Sequence, residues 1–230
     1  MQPYLFPYLG YFQLINVVDK FIFYDDVNFI KQGWVNRNKI LLNGNEFLFT
    51  IPLEKESSFK LITETEINGN LFKNWKIKFN RTLTQAYKKA PNFEIVYGLI
   101  SSALEMHSLA ISDLACESIN LVCDYLGIHT KRVKSSEQDY ENNILKASHR
   151  VIDICIKESA SDYFNQMGGK ELYSKEEFLL KGLNLHFICS KLKTYKQFNN
   201  DFISSLSIID VMMFNSKDEI LNMLDYYEIV

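Results

Sequence analysis

Between Leu71 and Lys89 the residues Trp75, Phe79, Leu83 and Tyr87 recur at every fourth position. That spacing places them on nearly one face of a helix, so the stretch must lie against a second apolar layer. Pro91 ends the pattern, because proline has no N–H to continue it. Ahead of this helix the chain reads as β-structure. "KILLNGNEFLFTI" is two strands around Asn43-Gly44, a dipeptide suited to a type I′ turn in which both central residues need positive φ. "KFIFYDDV" is a short aromatic strand closing on two acids, and "KLITETEI" alternates like a half-exposed strand. Beyond Pro91 a second helix runs through "FEIVYGLISSALEM". A third carries Ala115, Ile119, Val122 and Leu126 and stops at Gly127, a good residue just past a helix end. "IHTKRV" reads as a strand, and Ile144, Leu145, Ser148, Val151, Ile152 and Cys155 mark a fourth helix. "LNLHFICS" alternates like a strand, and Ser216 to Glu219 forms a capping box opening the last helix. This order predicts an α/β fold: a mixed β-sheet with an N-terminal β-hairpin region and flanking helices. No linker or repeat interrupts the 230 residues. The expectation is a single domain over 1–230, with a subdivision, if there is one, near residue 130.

The formal net charge of -3 argues against duplex nucleic acid as a partner. No apolar run reaches the ~20 residues of a membrane helix. The opening "MQPYLFPYLGYFQLI" is interrupted by Pro3 and Pro7 and lacks the basic start of a signal peptide. Cys116, Cys123, Cys155 and Cys189 form no CxxC pair and read as buried free thiols of a reducing, cytoplasmic compartment. His107 sits in a loop or at a helix end, His186 alternates out of a strand, and His149 is four residues from Asp153, as in a helix-surface pair. No histidine stands at ligand spacing from a cysteine, so no metal centre is expected.

Two stretches hold residues that carry chemistry. In "YDDVNFIKQGWVNRNK", Asp25 and Asp26 follow directly on a strand, at the edge where open α/β sheets bind ligands. On an extended backbone they point to opposite sides, so one faces the site. Lys31 and Arg37 suit a phosphate or carboxylate, and Asn36 and Asn38 offer donors and acceptors to hydroxyls. In "NQMGGKELYSKEEF", Gly168-Gly169 allow close approach of backbone to ligand, followed by Lys170 and Tyr173. The bland alternatives are a solvated polar turn and an exposed Gly-Gly loop. Asp210, set among apolar neighbours in "LSIIDVMMFNS", needs a partner if buried, and a structural hydrogen bond is expected there.

The pieces "MQPYLFPYLGYFQLI", "DKFIFYDDVNFIKQGWVNRNKI", "YKKAPNF", "MGGKELY" and "LSIIDVMMFN", in that order over nearly the whole chain, resemble the WbqC-like protein family. The resemblance implies a cytoplasmic enzyme of bacterial surface-polysaccharide (O-antigen) biosynthesis, transferring a glycyl or other aminoacyl group to the amine of a nucleotide-linked amino sugar. It brings no established catalytic residues. On this reading Asp25, Asp26 and Asn36 are the expected catalytic groups: a carboxylate to take a proton from the attacking amine or to hold Mg²⁺, and an amide to steady the oxyanion. Gln2, Tyr8, Gly10, Tyr11, Lys31, Trp34, Arg37, Asn38, Gly168, Gly169, Lys170 and Tyr173 are the expected substrate-binding residues, converging on one cleft. The acyl donor is open between aminoacyl-tRNA, an adenylate made in situ and a carrier thioester, so Mg²⁺ and ATP are the candidate cofactors. The N-terminus also resembles, in outline, nucleotidyltransferase-like enzymes whose loop carries His-x-Gly-His. Here the letters are Tyr8-Leu9-Gly10-Tyr11, and Gly10 would let a nucleotide lie against a helix N-terminus. Two departures stand out. Family members usually carry a short apolar strand before the Gln-Pro motif, which here starts at Met1, and a histidine in the helix after Trp75, where this chain has Phe79 and Asn80. The competing readings are another sugar-nucleotide transferase, nucleotidyl or glycosyl, and a nonenzymatic binding module.

Overall fold

The structure, a computed structural model, describes residues 1–105, 108–191 and 193–230; His107 lies outside them. Among these residues eight α-helices and seven strands form a mixed α/β fold, its strands divided into three small sheets. Helix α1 (Leu9–Val17) leads into β1 (Lys20–Phe23), which pairs in parallel with β4 (Lys131–Lys134). On β1's other side the Met1 amine donates to Ile22 O at 2.7 Å and Tyr24 N donates to Met1 O at 2.9 Å, the slanted pattern of parallel pairing. Strands β2 (Arg37–Leu42) and β3 (Asn45–Thr50) form the expected hairpin, with Asn43 and Gly44 at φ 52° and 77°. In the third sheet β6 (Asn184–Ser190) lies parallel to β5 (Asp162–Gln166) and antiparallel to β7 (Tyr227–Ile229).

Helix α2 (Gly69–Tyr87) starts where the Asn68 side chain accepts from Leu71 N, and it buries Phe72, Phe79, Leu83 and Tyr87. Trp75 stacks between Phe72 and Phe79, whose ring lies 4.6 Å from Phe49 of the hairpin. Helices α3 (Phe93–Leu104) and α4 (Ile111–Leu126) follow, and α4 ends on Gly127 at φ 77°. The fourth helix, α5, spans Ala147–Lys157; Ile144 falls outside it and is 89% exposed. Short α6 (Lys175–Leu179) and α7 (Ile208–Phe214) precede α8 (Lys217–Leu224), which opens on the expected capping box.

Leu61–Ile67 is no strand. Thr65 N donates to Ile62 O and Thr65 Oγ1 to Leu61 O, closing a turn that leaves isolated bridges to Asn28, Leu53 and Ala110. Its apolar and β-branched residues are buried at 62, 65 and 67, a spacing that mimics alternation without a ladder. His149 faces Glu177 at 3.7 Å, while Asp153 pairs with Lys157.

The main core runs from Leu5 to Leu224, and a smaller cluster under α5 and β6 gathers Val151, Ile152, Phe178, Leu183, Leu185 and Phe187. Within the main core the buried Asp210 accepts from Tyr87 OH, Tyr195 OH and Gln197 Nε2, each at 2.7 Å. Burial pushes its carboxyl above the usual range, although the three donors pull the other way. Cys116, Cys123 and Cys155 are buried free thiols; burial pushes Cys123 up to about 12 and Cys155 up to about 11. No described helix is long and apolar enough to cross a membrane.

Candidate functional site

The N-terminal loop is held rigidly, and this builds the front of a cleft. Leu5 N donates to Val35 O, Phe6 N to Ser118 Oγ, and Ile208 N to Pro7 O, while Ser207 Oγ donates to Phe6 O. The Asn38 amide donates to both Leu5 O and Phe6 O, and Phe6 adopts φ 42°. Tyr11, in the core, donates its hydroxyl to Gln2 O at 3.0 Å. These bonds leave Gln2, Tyr4 and Tyr8 facing a cleft of about 1070 Å³. Tyr24 and Trp34 line it from the segment after β1, and Tyr163 through Gln166, Gly168, Gly169 and Tyr173 close it from β5 and the following turn. Burial raises the Tyr4, Tyr8 and Tyr163 hydroxyls above their usual range, so these rings keep their protons and donate.

One end of the cleft is charged. Lys20 pairs with Glu158, which also accepts from Tyr140 OH at 2.6 Å. Burial works to raise the Glu158 carboxyl, but the bonds from Lys20 and Tyr140 outweigh it and hold it below the usual range. Asp162 also lines the cleft; bonds from Ser161 and from His186 Nε2, the latter at 2.7 Å, lower its carboxyl. Gln166 Nε2 donates to Gly10 O, fastening β5 to α1.

Of the expected site residues, the structure therefore brings Gln2, Tyr8, Trp34, Gly168, Gly169 and Tyr173 to one cleft. The others take supporting or outlying places. Asp25 is buried and accepts from Ser136 N at 3.0 Å and Ser136 Oγ at 2.8 Å. Asp26 accepts from Ser135 Oγ at 2.5 Å and pairs with Arg150. The two acids converge on the turn after β4 instead of diverging, because β1 has ended at Phe23 and the alternation ends with it. Arg150 lies over the Tyr24 ring at 4.9 Å, so this cluster braces a wall of the cleft from behind. Asn36 donates to Ile51 O at 2.9 Å and fixes the hairpin edge. Lys31 and Lys170 are exposed and outside the lining; Arg37 is outside it too, its guanidinium 5.6 Å from the Trp34 ring.

Gly10 meets Tyr8 itself at the face expected to take a nucleotide. A Cβ on Gly10 would lie 2.4 Å from Tyr8 Cε2 and 3.2 Å from Ser190 Oγ. Gly10→Ala is expected to drive the half-buried Tyr8 ring into the cleft while changing stability by no more than about 1 kcal/mol, since alanine favours the helix. A crystal structure of the variant with Tyr8 unmoved would contradict this.

Glu158 and Asp162 lie outside the stretches singled out in the sequence, and Lys20, although it opens the strand "KFIFYDDV", stands 138 residues from Glu158, a pairing no local pattern reveals. Tyr163 carries a weak signal, since it stands five residues before Gly168.

Fold and site together define a mixed α/β protein with an aromatic-walled cleft of small-molecule size. The chain belongs to the WbqC-like protein family, whose model matches residues 2–222. It is similar to an uncharacterised protein of Mycobacterium tuberculosis, 31% identical over 229 residues that make up 98% of this chain and 96% of the relative. No solved structure matches it.

Proposed function

We propose that the cleft binds a nucleotide-linked amino sugar and that the protein transfers a glycyl or related aminoacyl group to its amine, in surface-polysaccharide biosynthesis. The observation that carries the binding reading is the cleft wall: the rings of Tyr4, Tyr8, Tyr24, Trp34, Tyr163 and Tyr173 around about 1070 Å³. Aromatic faces pack the apolar side of a sugar or a base, and protonated phenols donate to its oxygens. The carboxylate of Asp162, its pKa lowered by Ser161 and His186, suits the sugar's ammonium group as a counterion. Once that group has lost a proton to solvent, the free amine attacks the acyl carbonyl, the bond from the acyl carbon to its donor breaks with the electron pair leaving on the donor, and the proton shed by the new amide nitrogen goes to that leaving group. Asp25 and Asp26 act in this reading as positioning residues, through Ser135, Arg150 and Tyr24. With Tyr8 covering Gly10, a preactivated acyl donor suits this cleft better than ATP bound at the start of α1. The transfer itself rests on the family resemblance.

Trp34 is 47% exposed at the cleft edge with Arg37 beside it, so Trp34→Ala should leave folding intact. Loss of a stacking face worth ~1–3 kcal/mol predicts roughly five- to 150-fold weaker binding. Calorimetric titration with UDP-linked amino sugars, compared with UDP-glucose, tests this. Equal binding by wild type and variant, or no preference for the amine, would remove the reading.

A further inference from the structure

A second cavity, of about 930 Å³, shares no lining residue with the aromatic cleft. It lies between the outer face of α2, the β2–β3 turn and the segment around Phe198. From α2, Asn80, Arg81, Thr84, Gln85 and Ala86 reach it, and Arg81, Thr84 and Gln85 with the C-cap Lys88 are spaced i, i+3, i+4 and i+7 and therefore lie on one face. This is the polar stripe of the helix whose opposite face packs the core. With Lys89 added, three cations line the cavity and no carboxylate does. Among the described residues none of the three is in an ion pair. Lys88 and Lys89 also complement the negative end of α2. Arg81 lies almost two turns earlier and has no such reason to be there. A second observation points the same way: Asn80, which also lines the cavity, buries its side-chain Oδ1 without any hydrogen-bond partner. Buried polar atoms ordinarily have one.

The wall opposite is held in place. Gln197 donates to Asp210 and accepts from Ile203 N at 2.7 Å, which fixes Phe198 at φ 53° with its ring in the lining. Asn200 packs over Gly44 of the hairpin turn, where an added Cβ would lie 2.8 Å from Asn200 Oδ1.

We infer that this cavity is a binding site for a small molecule bearing a diphosphate, with Arg81, Lys88 and Lys89 on the phosphates and Asn80 Oδ1 accepting from a hydroxyl or amino group of the same ligand. Guanidinium and ammonium groups without acidic neighbours suit phosphate oxygens, and Phe198 offers a face to a base or sugar. The site is independent of the aromatic cleft, and so is its test.

Inorganic pyrophosphate and ADP are titrated by calorimetry into wild type, Arg81→Ala/Lys89→Ala and Trp34→Ala. The substituted side chains are all exposed, and unchanged thermal melting verifies the fold. Saturable binding is expected for wild type and Trp34→Ala, weakened at least about tenfold in Arg81→Ala/Lys89→Ala, as loss of charge-assisted bonds implies. ADP binding tighter than pyrophosphate identifies a nucleotide ligand, and equal binding identifies a diphosphate read without its base. No saturable binding of either probe, equal binding by wild type and the double variant, or loss of binding in Trp34→Ala would overturn the inference.

Discussion

Asp210→Ala is expected to destabilise the protein by about 3–5 kcal/mol, since each buried donor left without its acceptor costs about 1–3 kcal/mol. Three donors lose their acceptor at once: Tyr87 OH, Tyr195 OH and Gln197 Nε2. Tyr87 OH also accepts from Leu41 N at 2.8 Å, so the disturbance passes directly into the hairpin. Urea unfolding of wild type and variant measures the effect, and a difference under about 1 kcal/mol would show the network to be dispensable. The pH dependence has a definite sign. Burial raises the Asp210 carboxyl in the folded state above its unfolded value. Its contribution is then fully present below the unfolded value and is lost as pH rises through the folded one, so stability from this group falls with rising pH. Asp210→Asn should flatten that slope, whatever it does to absolute stability.

Arg150→Ala should be comparably severe, at about 3–5 kcal/mol, because it leaves the Asp26 carboxylate largely buried without its counterion. Arg150 also donates to Asn142 Oδ1 at 3.0 Å and Asn143 Oδ1 at 2.8 Å. Lysine presents a point charge where this site uses a planar fork, so Arg150→Lys should recover less than half of the loss. The readout that separates bracing from mere stability is ligand binding under conditions where the variant remains folded. Loosening Tyr24 should weaken cleft ligands, and undiminished affinity would show that the cluster does not position that wall.

Much of the fold was legible because its signals are local. Asn43-Gly44 fixes the hairpin, Gly127 ends α4, Ser216 and Glu219 open α8, and the stripe ending at Tyr87 defines α2. Leu61–Ile67 misled because β-branched alternation suits a strand but does not require a neighbour to pair with. The cleft was legible in part, where aromatic and glycine-rich stretches supply its walls. Its charged end was not, since Lys20, Glu158 and Asp162 meet only through tertiary packing. The polar cluster from Asp25 to Asn38 drew attention for a physical reason that holds, that polar side chains at strand ends need partners. For Asp25, Asp26, Asn36 and Asn38 the partners turned out to be the protein's own backbone and side chains.

The fastening of the N-terminal loop has a consequence in time. Residues of the N-terminal loop leave the ribosome before the groups that hold them: Phe6 is held by Ser118 and Ser207, Pro7 by Ile208, and Gln13 of α1 donates to Met223 O and Tyr226 O. At ~5–20 residues per second these partners appear on the order of 10 s or more after the residues they hold. Until then Tyr4, Tyr8 and the rest of the aromatic front have no fixed place, and the nascent chain carries an unformed cleft. These contacts span 112 to 213 residues of chain, so the binding surface comes into being only once those long loops have closed.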